Sequence, residues 1–457
     1  MTTPKSATIP LRVGLVAGAL VITGCWSIDG DLGVFTEGDT ATGGDGTSTS
    51  ESAGTSVGSD PGTGTAAPTS TGSGDENGES GEWTCPEGQP KLAPLWTAHL
   101  GFDSPDHYLH NSFAVLSDGR IAVAAGSFST FPQGTGVMWV DGDGSSQDWV
   151  FSPEDRPGYG SIGIRRAPDD SLVALGYDFE DEGTLMRLTR VPADGSPVTV
   201  VDAELGHMAF LGDFALVGDS AVVIGRGYEE DEPFVMWVAQ VDLASGALEW
   251  EVSPPSVNPV LGMRVTVGPN GEIVAAHATA GGGGAEFKLW RLGDDGSVLW
   301  TADLLDPPAM TYELLDLVVT PGEQVVALVQ HYYPAKITAH AVGLVEGEVR
   351  WETQIAVEDE SGAPGFGGAL VDPDALVLPV ARGPETFYSG DMADPLTVSL
   401  VRLSFAGEIL DDTPLSLTDL TAGYHTLMPA RGKCGDLLLL HAGLAGPEKY
   451  RLWSFAP

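Results

Sequence analysis

The sequence predicts an all-β fold built from seven copies of one four-stranded antiparallel unit. An apolar strand that follows a turn recurs roughly every 51 residues, as the second strand of each unit. Each copy continues into another strand and then into a hairpin with a turn pair such as Ser245-Gly246 or Asp295-Gly296. Such pairs supply the positive φ of tight hairpins, and no segment shows a sustained helical period. The seven recurring strands begin at Ile121, Leu172, Ala221, Ile273, Val325, Leu376 and Leu437.

Seven four-stranded sheets around one axis form a β-propeller. In the first blade the strands are expected at residues 112–116, 120–126, 137–141 and 148–151. The third strand of several blades holds a Trp, which we align at one register. The aligned pairs are Met138-Trp139, Met186-Arg187, Met236-Trp237, Leu289-Trp290, His340-Ala341, Leu400-Val401 and Leu452-Trp453.

The two ends of the predicted ring complement each other. The last copy stops at its third strand, which contains Trp453, and a spare strand that contains Trp96 precedes the first copy. Trp96 stands where the fourth strands of other copies carry Trp149, Trp250, Trp300 and Trp351. We therefore predict that the N-terminal strand closes the last blade, which removes an exposed sheet edge.

Two of the three cysteines fall in that last blade. Cys85 precedes the N-terminal strand, and Cys434 precedes the second strand of blade 7. Export to an oxidising compartment favours pairing, so we predict a Cys85–Cys434 disulfide. The alternative is two unrelated buried thiols.

The first 24 residues have the pattern of an export signal. Lys5 and Arg12 precede an apolar run at residues 13–22, which is too short to span a bilayer as a helix. The run ends in Thr23-Gly24-Cys25 and resembles the bacterial lipoprotein signal. This resemblance implies cleavage before Cys25 and lipidation of Cys25, with more than one acyl chain giving a stable anchor. The alternative is an ordinary signal with an incidental Cys. Trp26 stands where an Asp would favour inner-membrane retention, so the outer membrane or cell surface is expected.

Residues 25–82 are predicted to be a lipidated Cys followed by a disordered acidic tether, and residues 83–457 form the propeller domain. Between residues 27 and 82 the chain is mostly Ser, Thr, Gly, Asp and Glu, without Lys, Arg or Trp. Such a composition buries too little apolar surface to offset the entropy lost on folding. The whole chain has a formal net charge of −43. A surface of that sign repels phosphate backbones, which argues against nucleic-acid binding.

The hairpin that runs from Gln240 to Trp250 is similar to the repeat of the PQQ-like (quinoprotein-type) propellers. That family includes quinone-dependent dehydrogenases and a lipoprotein scaffold of the outer membrane. In the family pattern the Trp docks between blades and the Gly turns the hairpin. The related enzymes commonly have eight blades and often an adjacent Cys pair. This chain has seven copies and no adjacent Cys pair, so the resemblance favours the scaffold branch, and no cofactor is expected.

Binding is expected on the side of the ring where the second strand of each blade ends. The loops there are unequal and rich in acidic and aromatic residues, at 177–182, 227–232, 280–284, 331–334 and 382–395. Loops on a rigid scaffold commonly carry binding sites, and the alternative is a solvated acidic rim. Asp103, Asp106, His107 and His110 have donor types that could hold Zn²⁺, but polar loops often contain such groups, and no metal is assigned. No serine nucleophile elbow, zinc-protease motif or phosphate loop is present, so no catalytic residue is assigned.

These features favour a lipid-anchored binding or scaffold module at the bacterial cell envelope. Its contact with the membrane is expected through the anchor alone, and a protein or glycan partner is expected on the loop face. One alternative is a propeller enzyme, either a quinone-dependent oxidoreductase or a glycan-active enzyme, that uses the same face. Another is a structural surface protein whose charge keeps cells dispersed.

Overall fold

A computed structural model gives the architecture of the chain. It describes residues 85, 88–100, 113–127, 134–145, 147–151, 160–180, 183–194, 196–205, 209–229, 232–254, 260–279, 286–304, 312–332, 335–357, 363–383, 397–417, 425–443 and 450–457. In these residues the regular structure is entirely β, in seven antiparallel sheets arranged as a seven-bladed propeller. The predicted fold class is therefore confirmed. The described ranges also hold no helix of the length and apolarity needed to cross a membrane.

Each blade has four strands, ordered from the inside of the ring outward. The strands of blades 1 to 3 are Phe113–Val115, Ile121–Ser127, Gly134–Val140 and Gln147–Phe151; Gly160–Arg166, Leu172–Glu180, Gly183–Val191 and Thr199–Leu205; Ala209–Val217, Ser220–Glu229, Glu232–Asp242 and Leu248–Val252. Those of blades 4 and 5 are Val260–Val267, Ile273–Thr279, Glu286–Leu292 and Val298–Asp303; Tyr312–Thr320, Gln324–Tyr332, Ala335–Gly343 and Val349–Val357.

Blades 6 and 7 depart from this plan. The inner strand of blade 6 is divided into two pieces, and the outer strand of blade 7 comes from the N-terminal end of the domain. Their strands are Ala363–Phe366 with Leu370–Val371, Ala375–Gly383, Thr397–Ser404 and Ile409–Leu415; His425–Arg431, Leu437–Gly443, Tyr450–Phe455 and Pro94–His99.

The N-terminal strand closes the ring as the sequence predicts. Trp96 pairs with Ser454 and Thr97 with Trp453 in an antiparallel ladder. In the same blade the structure joins Cys85 to Cys434 in a disulfide, with the two Cα atoms 5.5 Å apart. The strand pairing and the covalent bond both hold the last blade together across 349 residues of sequence.

The hydrophobic core lies between neighbouring blades. Between blades 4 and 5, Val274 and Leu289 pack with Leu317 and Val325 in one buried cluster. The second strand of every blade is buried on both faces, so it is apolar over consecutive residues rather than at alternate ones. Because burying a Val or Leu side chain contributes about 1.5–3 kcal/mol, these central strands supply most of the packing between blades.

The inner strands are tied to one another by charged side chains. Arg165 in blade 2 donates to Asp213 in blade 3 at 2.6 Å, and Asp213 also accepts from the backbone N–H of Val265 in blade 4 at 3.1 Å. At the same register in blade 5, Asp316 accepts from the backbone N–H of Ala369 in blade 6 at 2.7 Å. Loss of water raises the pKa of the Asp316 carboxyl, although these amide hydrogen bonds act against the shift. Each carboxylate therefore fastens its blade to the next.

Candidate functional site

The ring has two sides, which we call the hairpin side and the loop side. The hairpin side carries the turns between strands 1 and 2 and between strands 3 and 4, and the loop side carries the ends of strands 2 and the starts of strands 3. On the hairpin side, Asp143 and Asp295 each accept from the backbone N–H of the Ser two residues later. Hydrogen bonds from the side chain of that Ser, and then from its backbone N–H, lower the pKa of both carboxyls, and the two residues are turn-forming.

Buried and half-buried polar side chains lie together on the loop side of blades 4 and 5. We call this set the loop-side polar cluster. It is built on strands 2 and 3 of the two blades and consists of His277, Glu286, Lys288, His331, Thr338 and His340.

Blade 5 contains a hydrogen-bonded chain of two imidazoles and one hydroxyl. The Thr338 Oγ1 lies 2.8 Å from His331 Nε2 and 2.9 Å from His340 Nε2. All three side chains are buried. A hydroxyl has one proton, so it donates to one ring and accepts from the other. The two histidines therefore hold opposite tautomers, one protonated at Nε2 and the other at Nδ1.

The imidazoles of His331 and His340 are both neutral at pH 7. Burial and the nearby charge of Lys336 lower the pKa of His331 to about 3 and that of His340 to about 4. The Glu352 carboxylate lies 3.8 Å from His340 Nδ1 but is itself more than half exposed, so solvent screens its opposing effect. The Phe287 ring of blade 4 meets His340 edge-on, with ring centroids 6.1 Å apart. This contact joins the two blades within the cluster.

Blade 4 contributes a third buried imidazole. His277 stacks on Trp290 with ring centroids 4.5 Å apart, and neither of its ring nitrogens has a hydrogen-bond partner among the residues described. Its Nε2 lies 3.9 Å from a Glu286 oxygen, and Glu286 pairs with Lys288. Burial, together with the Lys288 charge, lowers the pKa of His277 to about 3.

The cluster supplies neutral, oriented hydrogen-bonding groups at the base of the loop side. Its imidazoles are almost completely buried, so they position neighbouring strand ends and do not themselves reach a ligand. The described parts of the chain contain no group of three or more His, Cys, Asp or Glu side chains placed to hold a metal ion. The arrangement is therefore suited to support a binding surface.

Several predicted loops are shorter than the sequence suggests. Strand 2 of blade 2 continues to Glu180, so most of the expected loop at 177–182 is strand, and Tyr177 is buried. Residues 227–229 and 331–332 likewise belong to second strands, as do residues 382–383. The run of apolar residues ends before these strands do, because their ends near the loop side carry buried polar groups such as Arg226 and His331.

Other residues singled out in the sequence lie outside the described residues. These are Cys25, the 280–284 loop, and the possible zinc donors Asp103, Asp106, His107 and His110. Of the loop-side polar cluster, only His331 falls in a range that the sequence predicts to be a binding loop, 331–334. The available signal was polar residues at core positions of apolar strands, as in the sequence Leu328-Val329-Gln330-His331.

The chain is similar to several solved structures at low sequence identity. BamB from Moraxella catarrhalis matches with a TM-score of 0.44 and 16% identity, over 80% of this chain and 100% of its own. Sqt1 from Chaetomium thermophilum, solved bound to the N-terminus of the ribosomal protein L10, gives 0.45 and 12% over 80% of this chain and 100% of its own. A puromycin hydrolase gives 0.44 and 13% over 78% of this chain and 54% of its own.

No protein-family model and no curated protein matches the chain. Similarity at these identities and TM-scores carries no argument about what the chain binds.

Proposed function

We propose that this chain is an exported, lipid-anchored propeller that acts as a binding or scaffold module at the bacterial cell envelope. Residues 1–24 would direct export, Cys25 would carry the lipid, and residues 25–82 would be the tether. The Cys85–Cys434 bond supports export, because disulfides persist in oxidising compartments.

The observation that carries a binding role is the loop-side polar cluster. Burying polar groups costs free energy unless each is hydrogen-bonded, and His277 has no such partner among the described residues. If these strands needed only to pack, their loop-side ends would carry apolar groups. The same strands do carry apolar groups nearer the hairpin side. Buried titratable groups with displaced pKa values are common near functional sites. The cluster fixes the strand ends that flank residues 280–285 and 333–334.

The Trp contacts between blades support the resemblance to PQQ-like propellers. The Trp250, Trp300 and Trp351 indoles each lie against a hairpin Gly of the following blade, as that repeat implies. Within that family the scaffold role suits this chain better than the quinone-dependent role, because the chain forms seven blades and has no adjacent Cys pair.

The test is crosslinking in cells with the lipidated full-length chain as bait. A loop variant replaces Glu230, Asp231, Tyr333 and Pro334 with Gly or Ser. The matched control removes two exposed acidic groups on the hairpin side of blades 1 and 3, Asp148→Ser and Asp219→Ser. We expect one partner to be captured by the native chain and by the control but not by the loop variant.

Equal capture by all three proteins would contradict a partner on the loop side. If no partner is captured, dye reduction with added quinone and Ca²⁺, or turnover of envelope glycans, would instead support the enzyme alternative.

A further inference from the structure

A row of exposed apolar side chains runs along the hairpin side of blades 3 to 6. Its four members are the first residues of successive outer strands: Leu248, Val298, Val349 and Ile409. Each is 42–53% exposed. We call these residues the rim row. Large aliphatic residues exposed at one register of four consecutive repeats form a patterned surface rather than scattered exposures.

Trp contacts between blades give three members of the row the same local setting. Gly296 lies against Trp250 of the preceding blade, and Val298 follows Gly296 by two residues. Gly347 lies against Trp300 in the same way, two residues before Val349.

The last link of the row repeats this geometry. Gly407 lies against Trp351, two residues before Ile409. Val298, Val349 and Ile409 therefore each stand two residues after a Gly that contacts the outer-strand Trp of the preceding blade.

Additional apolar side chains widen the row on blades 4 to 6. Leu299, Val345 and Leu410 are 55%, 53% and 47% exposed, and each lies in an outer strand or in the hairpin before it. None of these seven side chains belongs to the buried clusters between blades. Their exposure therefore does not arise from incomplete packing of the core.

The surroundings of the rim row are strongly acidic. Within residues 242–252, 293–303, 344–357 and 404–415, Arg350 is the one basic residue, and its Nε lies 3.0 Å from a Glu348 oxygen. The exposed acidic residues of these outer strands and hairpins are Glu249, Glu251, Asp294, Asp295, Asp303, Glu346, Glu348, Glu352, Glu408 and Asp412.

We propose that the rim row binds a polypeptide partner that presents apolar side chains flanked by Lys or Arg. The apolar groups of such a partner would cover the row, and its cations would meet the acidic residues on either side. Complementary charge of this kind speeds association and excludes like-charged partners. A second copy of this chain would bring one acidic rim against another, and an anionic lipid surface would be repelled for the same reason. The rim row lies on the opposite side of the ring from the loop-side polar cluster, and binding at the row does not depend on that cluster.

The test measures the binding of labelled synthetic peptides to the full-length chain by fluorescence anisotropy. The probes are a 12-residue peptide of alternating Lys and Leu, its Lys/Ser counterpart and its Glu/Leu counterpart. The row variant is Val298→Ser with Val349→Ser. The matched control is Val200→Ser with Val357→Ser, two valines of similar exposure in outer strands but off the row.

We expect the Lys/Leu peptide to bind the native chain and the control equally, and the row variant about tenfold more weakly. The Lys/Ser peptide should bind weakly and equally to all three proteins. Equal binding of Lys/Leu to the native chain and the row variant would overturn the proposal, as would equal binding of Lys/Ser and Lys/Leu. A dimer in sedimentation that becomes a monomer in the row variant would assign the row to a second copy and also overturn it.

Discussion

The indole of Trp300 in blade 4 lies directly against Gly347, the hairpin glycine of blade 5. A Cβ atom on Gly347 would come within 2.7 Å of the ring, and the residue has a φ of +75°. The same indole donates its N–H to the backbone oxygen of Leu344 at 3.1 Å. The glycine therefore serves two needs at once, a left-handed turn and the space for a neighbouring blade. One hairpin residue thus couples the local turn to the assembly of the ring.

Replacing this glycine tests both needs together. We expect Gly347→Ala to lower the free energy of unfolding by about 2–4 kcal/mol, because strain at positive φ adds to a steric clash. The matched control is Gly218→Ala, since Gly218 has a φ of +56° and nothing within 4 Å of a built Cβ. That change should cost only about 1 kcal/mol. Denaturant unfolding measures both values, and equal losses would contradict a role for the Trp300 contact.

The disulfide gives a second prediction about ring closure. We expect Cys434→Ser to lower stability by about 2–5 kcal/mol, because the cross-link restricts a very long loop of the unfolded chain. Reductant should destabilise the native protein by the same amount and leave the variant unchanged. Thermal unfolding with and without dithiothreitol measures this. Two free thiols in the exported native protein would contradict the pairing.

The overall architecture could be predicted because it rests on repetition. The Trp of each outer strand and the Gly of each hairpin recur at fixed spacing, and their contact is what holds neighbouring blades together. The last blade lacks a fourth strand after Trp453, and the spare strand that contains Trp96 takes that place. Without this pairing, a sheet edge would remain exposed. Such signals are local in sequence although their consequence is global.

The register of the third strands could not be fixed in the same way. Trp290 pairs with the residue after Trp300, and His340 pairs with the residue after Trp351. His340 therefore occupies the position of Trp290, one residue away from our alignment, which matched Ala341 to it. A shift of one residue moves a side chain to the opposite face of a sheet. For that reason the alignment hid the approach of His340 to Thr338.

Trp237 and Trp139 also depart from the common register. Trp237 lies opposite Gly225, the sixth residue of its second strand, whereas Trp290 and Trp453 lie opposite the third. Trp139 lies opposite the second. A bulky ring can fill the space between blades from more than one position, so Trp spacing alone does not determine the register.

The proposed lipid anchor gives a third prediction. We expect Cys25→Ala to abolish incorporation of labelled palmitate and to release the chain from the membrane fraction, because the anchor would then have no attachment site. The Cys85→Ala variant serves as the control, since Cys85 is paired with Cys434. It should keep the label. Membrane association of the unlabelled Cys25 variant would show that another contact holds the chain.

The hydroxyl between the two imidazoles of blade 5 gives a fourth prediction. Thr338→Val keeps the shape of the side chain but removes the hydrogen-bond partner of both His331 and His340. We expect it to lower stability by about 1–3 kcal/mol, the cost of losing hydrogen bonds to buried ring nitrogens. Thr338→Ser keeps the hydroxyl and should retain most of the stability. Equal losses in the two variants would mean that the methyl group matters and the hydroxyl does not.

The buried histidines also make stability depend on pH. An unfolded imidazole has a pKa of about 6.5, whereas the folded values are about 3 for His277 and His331 and about 4 for His340. Between these limits the unfolded chain binds more protons, so stability rises with pH. The stability that these neutral histidines contribute is fully present above about pH 6.5 and is lost progressively as the pH falls to the folded pKa values of about 3 to 4. The charged groups that face these rings are Lys288 and Glu286 in blade 4, and Lys336 and Glu352 in blade 5.

His277→Phe isolates one of these contributions. A Phe ring can keep the stacking on Trp290, and it has no nitrogen to protonate. We expect the variant to be as stable as the native chain at pH 7.5 and more stable by about 1–2 kcal/mol at pH 5, because the unfolded His277 no longer takes up a proton there. Denaturant unfolding at half-unit steps between pH 7.5 and 4.5 measures the difference. This window lies above the range in which carboxylates with lowered pKa values, such as Asp143 and Asp295, lose their charge. Parallel pH profiles for the two proteins would show that His277 is solvated in the folded state and that its burial does not govern its protonation.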